Sequence, residues 1–213
     1  MKLCKQLDFV VYSEPEIPIL NLSKTLDFSA VKGLCYRKKN KIYKNLPEPQ
    51  IKNMDDLGIP AHDLIPLQIY QEPQMKRRPM TITMISRGCI NRCIFCSSCF
   101  YGSYRLRSIN NVMREFKWIT KELGVKEMKF YDDGITYNYD WAKQLFNRMI
   151  KEKIDLTWNT NIRADSIDYN LAKLMKKAGC HTVNMGLESA SQEILNNIKK
   201  NTTVEQMEKA VLD

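Results

Sequence analysis

Apolar residues fall along this chain in two rhythms, short continuous runs and stripes spaced three or four apart, and from residue 81 onward the two alternate. A run at 81–86 is followed, from Ser108, by a helical stripe through Val112, Phe116, Ile119 and Leu123 that Gly124 ends. A second run at 125–131 leads to Asp132-Asp133-Gly134 and a helix whose inner face carries Trp141, Leu145 and Met149. A third at 155–160 leads to Asn161-Ile162-Arg163 and a helix with Leu171, Leu174 and Met175, up to Gly179. The fourth, 181–187, leads to Glu188-Ser189 and a helix to about Ile198, and Thr202 with Glu205 three residues on is a capping box opening a further helix toward Asp213. The runs recur at the spacing of parallel strands joined by right-handed crossovers, which predicts an α/β fold. Period alone does not separate a barrel from an open sheet.

The start of the chain differs. A nearly continuous apolar run at 7–12 predicts a strand buried on both faces of a parallel sheet, the last strand of a larger sheet whose earlier strands are missing. Ser13 with Glu16 suggests a capping box, with Pro15 and Pro18 near the start of a helix to about Leu26. Segments 32–37 and 41–44, separated by Lys38-Lys39-Asn40, read as a β-hairpin. From Pro47 to Pro79 the chain holds six of its eight prolines and little periodicity, which predicts a connector in which His62 is a solvated residue. The organisation expected is therefore 1–46, a Pro-rich linker at 47–80, and a core at 81–213.

Composition narrows the class. With 44% hydrophobic and 27% charged residues the chain reads as globular, and no apolar run approaches the roughly 18 residues that span a bilayer. The absence of a secretory signal predicts a cytoplasmic location and no membrane partner. The net charge of +9 permits a nucleic-acid partner, but its Lys-Lys pairs are scattered, so a solvated basic surface is the reading favoured. Seven cysteines, three of them clustered, suit a reducing compartment.

Those three are Cys89, Cys93 and Cys96, within Arg87-Gly88-Cys89-Ile90-Asn91-Arg92-Cys93-Ile94-Phe95-Cys96 directly after the run at 81–86. Three thiols on one loop can turn inward on one centre, and such a soft set selects zinc, copper(I) or an iron–sulfur cluster. The spacing Cys-x3-Cys-x2-Cys with an aromatic before the last sulfur resembles the cluster loop of the radical S-adenosylmethionine (SAM) enzymes. The resemblance implies that these cysteines hold a 4Fe-4S cluster, oxygen-sensitive, whose fourth iron is left for SAM. It implies a partial (β/α)6 barrel of which this chain supplies four units, so that the chain is a fragment truncated after the fourth. It implies reductive cleavage of SAM to a 5′-deoxyadenosyl radical that attacks an unidentified small-molecule substrate, with a flavodoxin or ferredoxin as electron donor. The layout before residue 80 is similar to the tail of the Rossmann-like cobalamin-binding domain in cobalamin-dependent members. The Asp-x-His motif of that domain is missing, so cobalamin is expected in the full-length protein only, with methyl transfer or ring formation as the implied chemistry.

Ligands in α/β folds sit at the carboxyl ends of the strands, where every strand here ends in a polar cluster. By resemblance, Asp132 or Asp133 stands where the family contacts the methionine amino group, in place of a Gly-Gly-Glu sequence. Glu188 and Ser189 fall at the polar contacts to methionine or ribose, and Phe95 lies beside the adenine. Asn161 and Arg163 complete the expected cofactor set, a guanidinium being able to pair with the SAM carboxylate. Two alternatives stay open: a non-catalytic iron–sulfur or zinc site closed by Cys99, and an RNA-modifying radical SAM enzyme.

Overall fold

The computed structural model describes residues 1–98 and 102–213 and divides into two compact units, Met1–Lys52 and Asn53–Asp213.

In the first unit, strand β1 (Phe9–Val11) is followed by helix α1 (Glu16–Leu22) and by strands β2 (Leu34–Lys38) and β3 (Lys41–Lys44). The expected hairpin is present, turned by Lys39 and Asn40, both at positive φ as a two-residue hairpin loop requires. The expectation for 7–12 is corrected: β1 pairs antiparallel with β2, Phe9 opposite Tyr36, and Phe9 is 39% exposed. A short apolar run cannot by itself tell a strand covered on both faces from one shielded by its neighbouring hairpin. Val31, Leu34 and Tyr36 form the small core, and Phe28 meets Phe9 edge-on with ring centroids 4.9 Å apart. Gly33 is confined to a φ of +73°, and a Cβ there would come within 2.9 Å of the Ser13 hydroxyl. Helix α1 starts from Pro15 with no side-chain cap and ends at Leu22, so the Ser13 capping box is not formed; Ser13 instead accepts from the Glu48 N–H.

The second unit is built on a parallel sheet of β4 (Met80–Thr83), β7 (Glu127–Phe130), β8 (Thr157–Ile162) and β9 (Cys180–Met185), in the order β4-β7-β8-β9. The crossovers carry helices α2 (Ile109–Lys121), α3 (Tyr139–Lys151) and α4 (Tyr169–Lys177), and α5 (Gln192–Asn197) and α6 (Val204–Leu212) follow β9. Between β4 and α2, the short strands β5 (Ser86–Arg87) and β6 (Arg105–Leu106) pair antiparallel and close the base of the cysteine loop. The α/β reading with four parallel strands therefore holds. Ser108, Asn138, Asp168, Ser191 and Thr203 cap the helices with their side chains. The last is a capping box with Gln206, one residue on from the Thr202–Glu205 box expected; Thr202 is buried.

The two faces of the sheet are unlike. Met128, Phe130 and Trp158 pack beneath the helices, where Trp158 stacks on Phe146 at 5.3 Å and donates to the Ala178 carbonyl. On the opposite face stand Glu127, Lys129 and Asn159, and the chain at 72–74 reaches them: Glu72 is 3.6 Å from the Lys129 ammonium and accepts from Asn159, while Gln74 and Asn184 exchange amide hydrogen bonds. Residues from 53 onward thus pack with the sheet unit. Met54, His62 and Leu67 are buried there, and the expectation of a solvated His62 is overturned. Its imidazole lies between the Thr81 hydroxyl (2.8 Å) and the fully buried Glu115 carboxylate (3.0 Å). Glu115 also receives Thr83 and Arg107. Burial works to raise the Glu115 pKa, but His62, Arg107 and Thr83 outweigh it and hold the carboxyl below its ordinary range. No helix among the described residues is long and apolar enough to cross a membrane.

This network supports a stability prediction. Glu115→Gln leaves Arg107 buried without its counter-charge and should cost about 3–5 kcal/mol, whereas Thr83→Ala, removing one donor, should cost about 1 kcal/mol. Urea denaturation of the two variants beside the parent chain checks the order.

Candidate functional site

Because the four strands of the sheet run parallel, the loops after them open at one end, and the predicted site residues stand on those loops or on the last residues of the strands. The cysteine loop leaves β5 through Gly88, at a φ of +84°, where a Cβ would meet the Ser103 carbonyl oxygen at 2.4 Å. The crossing of the two arms of the loop therefore requires glycine. Further along, the Ile94 N–H donates to the Ile198 carbonyl and ties the loop to the end of α5.

Cys89, Cys93 and Cys96 are free thiols of intermediate burial, and each has a donor turned toward its sulfur. Cys89 Sγ accepts from the Asn91 N–H and is 3.1 Å from the Tyr137 hydroxyl. Cys96 Sγ accepts from the Ser98 N–H at 3.4 Å, and Arg163 Nη1 points at Cys93 Sγ from 3.8 Å. Three sulfurs on one loop, each with a hydrogen-bond donor beside it, fit a cysteine-held cluster in their chemistry. As placed, however, no three His, Cys, Asp or Glu side chains among the described residues gather into a group that could hold a metal ion. The fit is one of residue type and surroundings, not of converged sulfurs. Cys99 lies outside the described residues.

Arg163 is buried and held on three sides. Asp165 takes its Nε and Nη2 in a fork, and the Lys200 carbonyl accepts from Nη2 at 2.7 Å, so the edge left over faces Cys93. Burial opposes its charge, but Asp165 more than offsets that and raises its pKa. Lys200 in turn pairs with Glu188 at 3.0 Å and lies 5.9 Å over the Phe95 ring. Arg163, Phe95 and Glu188 are thus drawn together through one lysine. Asn161 and Ser189 have other partners: Asn161 accepts from Asn184, and Ser189 from the Ser191 N–H within its own turn.

Both aspartates after β7 face the cysteine loop. Asp132 is buried, and its Oδ1 accepts from the Ile85 N–H and from both the N–H and the hydroxyl of Ser86. Asp133 accepts the Gly88 N–H on one oxygen and the Ser98 hydroxyl on the other. Burial pushes the Asp132 carboxyl up to about 7, against the Ser86 and Ile85 bonds that pull it down, with Asp133 adding to the rise. Lys200, Tyr137 and Asp165 are absent from the set predicted from sequence. Asp165 stands two residues from Arg163 and could have been found; nothing local marks Tyr137 or Lys200.

A parallel βα core with a three-thiol loop after its first strand and polar loops at the same end defines a class of cofactor-using enzyme scaffold. The Radical SAM superfamily matches residues 83–212, and the chain belongs to that superfamily. It is 36% identical to the uncharacterized methyltransferase PH0819 of Pyrococcus horikoshii, over 99% of this chain and 47% of that protein. It is 27% identical to the anaerobic magnesium-protoporphyrin IX monomethyl ester cyclase of Synechocystis sp., over 92% of this chain and 40% of that one. The chain therefore spans less than half the length of these curated relatives. Its fold is similar to that of the cobalamin-dependent S-adenosylmethionine radical enzyme OxsB, with a TM-score of 0.75 and 19% identity over 95% of this chain and 31% of that one. It is also similar to the radical S-adenosylmethionine methyltransferase TsrM of Kitasatospora setae, with a TM-score of 0.72 and 18% identity over 96% of this chain and 43% of that one.

The Asp132 site carries a pH prediction. Folded, Asp132 keeps its proton up to about pH 7, while an unfolded aspartate releases it near about 4. The folded chain binds the extra proton between these values, so its stability is greatest below the lower one and falls as pH rises through the upper. Unfolding free energies measured from pH 5 to 7 should fall by about 1.4 kcal/mol per pH unit more in the parent than in Asp132→Asn.

Proposed function

We propose that this chain carries the cluster- and SAM-binding part of a radical SAM enzyme, with Cys89, Cys93 and Cys96 as ligands of a 4Fe-4S cluster. The observation that carries this reading is the three-thiol loop, with a donor at each sulfur, at the carboxyl end of the first strand of a parallel sheet. When bound, the cluster supplies the electron for reductive cleavage of SAM, and the cofactors carry the hard steps. The chain's own residues bind and orient. Arg163, locked by Asp165 and the Lys200 carbonyl, brings a fixed positive charge to Cys93, and hydrogen bonds and charge near the sulfurs set a cluster's potential. Glu188, Ser189 and Asn161 offer oxygen acceptors for the ammonium and ribose hydroxyls of SAM, and Phe95 offers an exposed ring for its adenine. The cleft of about 370 Å³ beside Ile90, Asn91 and Tyr137 opens next to the same loop.

Methyl transfer or cyclisation on a small molecule is the chemistry we assign to the full-length protein, in keeping with the names of its relatives. The first unit is assigned as the end of a cobalamin-binding-type domain, with cobalamin itself placed in the full-length protein only. A flavodoxin or ferredoxin is the electron donor expected, and nothing in the scattered basic surface calls for nucleic acid.

Anaerobic reconstitution tests the reading. The parent should take up on the order of four irons per chain, Cys93→Ala should lose the cluster, and the reduced cluster's EPR signal should change when SAM is added. A signal indifferent to SAM, or a cluster lost in Cys99→Ala, would support the closed four-cysteine site instead.

A further inference from the structure

Asp133 bridges two points that are ten residues apart in the cysteine loop. One oxygen takes the Gly88 N–H at 3.0 Å, just before Cys89, and the other takes the Ser98 hydroxyl, just after Cys96. All three cysteines lie between these anchors. Each bond is assisted by the charge of the carboxylate, and the two oxygens point to different partners, so one side chain holds both ends of the cysteine-bearing stretch from Gly88 to Ser98. Next to it, Asp132 takes donors from Ile85 and Ser86, the residues that lead into the loop. Each oxygen of Asp133 already takes one donor from the loop, so an ammonium of SAM at this carboxylate would have to share it with both loop contacts.

We infer that Asp133 is a positioning residue whose carboxylate staples Gly88 to Ser98, the two ends of the cysteine-bearing stretch, and so presets the spacing of Cys89, Cys93 and Cys96, and that it is not the contact to the SAM amino group. The role toward a cluster rests on the proposed function above; the staple itself is a property of the metal-free chain. Groups that hold metal ligands in place, without touching the metal, typically change metal affinity by about 10–100-fold when removed.

The experiment compares the parent with Asp133→Ala, Asp133→Asn and Ser98→Ala in two steps. The first is amide hydrogen exchange of the metal-free full chain. Asp133→Ala should speed exchange at Gly88 by roughly tenfold or more and loosen the loop through Ser98. Ser98→Ala should loosen only the far end and leave Gly88 protected. Asp133→Asn should keep most of the protection, because its amide oxygen can accept from Gly88 while its N–H donates to the Ser98 oxygen. The second step is iron retention against a chelator after reconstitution, where Asp133→Ala should hold iron about 10–100-fold more weakly and Asp133→Asn should resemble the parent. SAM titrated against the EPR signal should show similar affinity for Asp133→Asn and parent. Unchanged exchange at Gly88 in Asp133→Ala would overturn the staple whatever the iron does. Parent-like exchange in Asp133→Asn with SAM affinity lost would return Asp133 to the cofactor. A parent that takes up no iron would sink the proposed function and leave the exchange result standing.

Discussion

Parallel pairing of β4, β7, β8 and β9 is the constraint on which the rest depends. Two adjacent parallel strands cannot be joined by a tight turn, so each must be followed by a crossover, and the crossovers cover one face of the sheet with helices. The same geometry sends the chain out of every strand at the same end. The cysteine loop, Asp132 and Asp133, Arg163 and Glu188 come from segments up to a hundred residues apart, yet they share one rim for this reason alone. The helix-covered face fills with Phe130, Phe146 and Trp158, and that packing makes the rim a fixed frame for the loops above it.

The other face shows what the frame costs. Glu127, Lys129 and Asn159 lie on strands deep enough that their polar groups lose water, and each needs a partner. His181 and Thr157 serve Glu127, and Glu72 serves Lys129 and Asn159. Segment 53–79 is drawn into the sheet unit by such contacts as well as by Met54 and Leu67. Its prolines restrict the backbone, but they do not prevent side chains on either side of them from burying.

How far the sequence was legible follows from the range of each interaction. Strands and helices of the sheet unit were readable because their apolar periods are local, and the hairpin because Lys39 and Asn40 sit between two short apolar runs. The Thr203–Gln206 cap was missed by one residue, since two threonines in succession each have an acid or amide three positions on. His62 could not be read: its partner Glu115 is 53 residues away and nothing periodic connects them. The cysteine loop was recognisable from its spacing, whereas the tasks of the two aspartates were not. Resemblance points Asp132 or Asp133 at the cofactor, but the donors that occupy them lie 35 to 47 residues earlier, beyond the reach of any local pattern.

The two aspartates also divide a charge problem between them. Two adjacent carboxylates would place two negative charges side by side in one poorly solvated region, which is costly. Burial shifts one of them, Asp132, toward its protonated form near neutral pH, so it can accept hydrogen bonds from Ile85 and Ser86 with little charge. Asp133, half-buried and nearer the solvent, bonds Gly88 and Ser98, and Arg163 brings its positive charge toward Cys93. Hydrogen bonds thus hold the loop's shape while the carboxylate charge beside it is kept low.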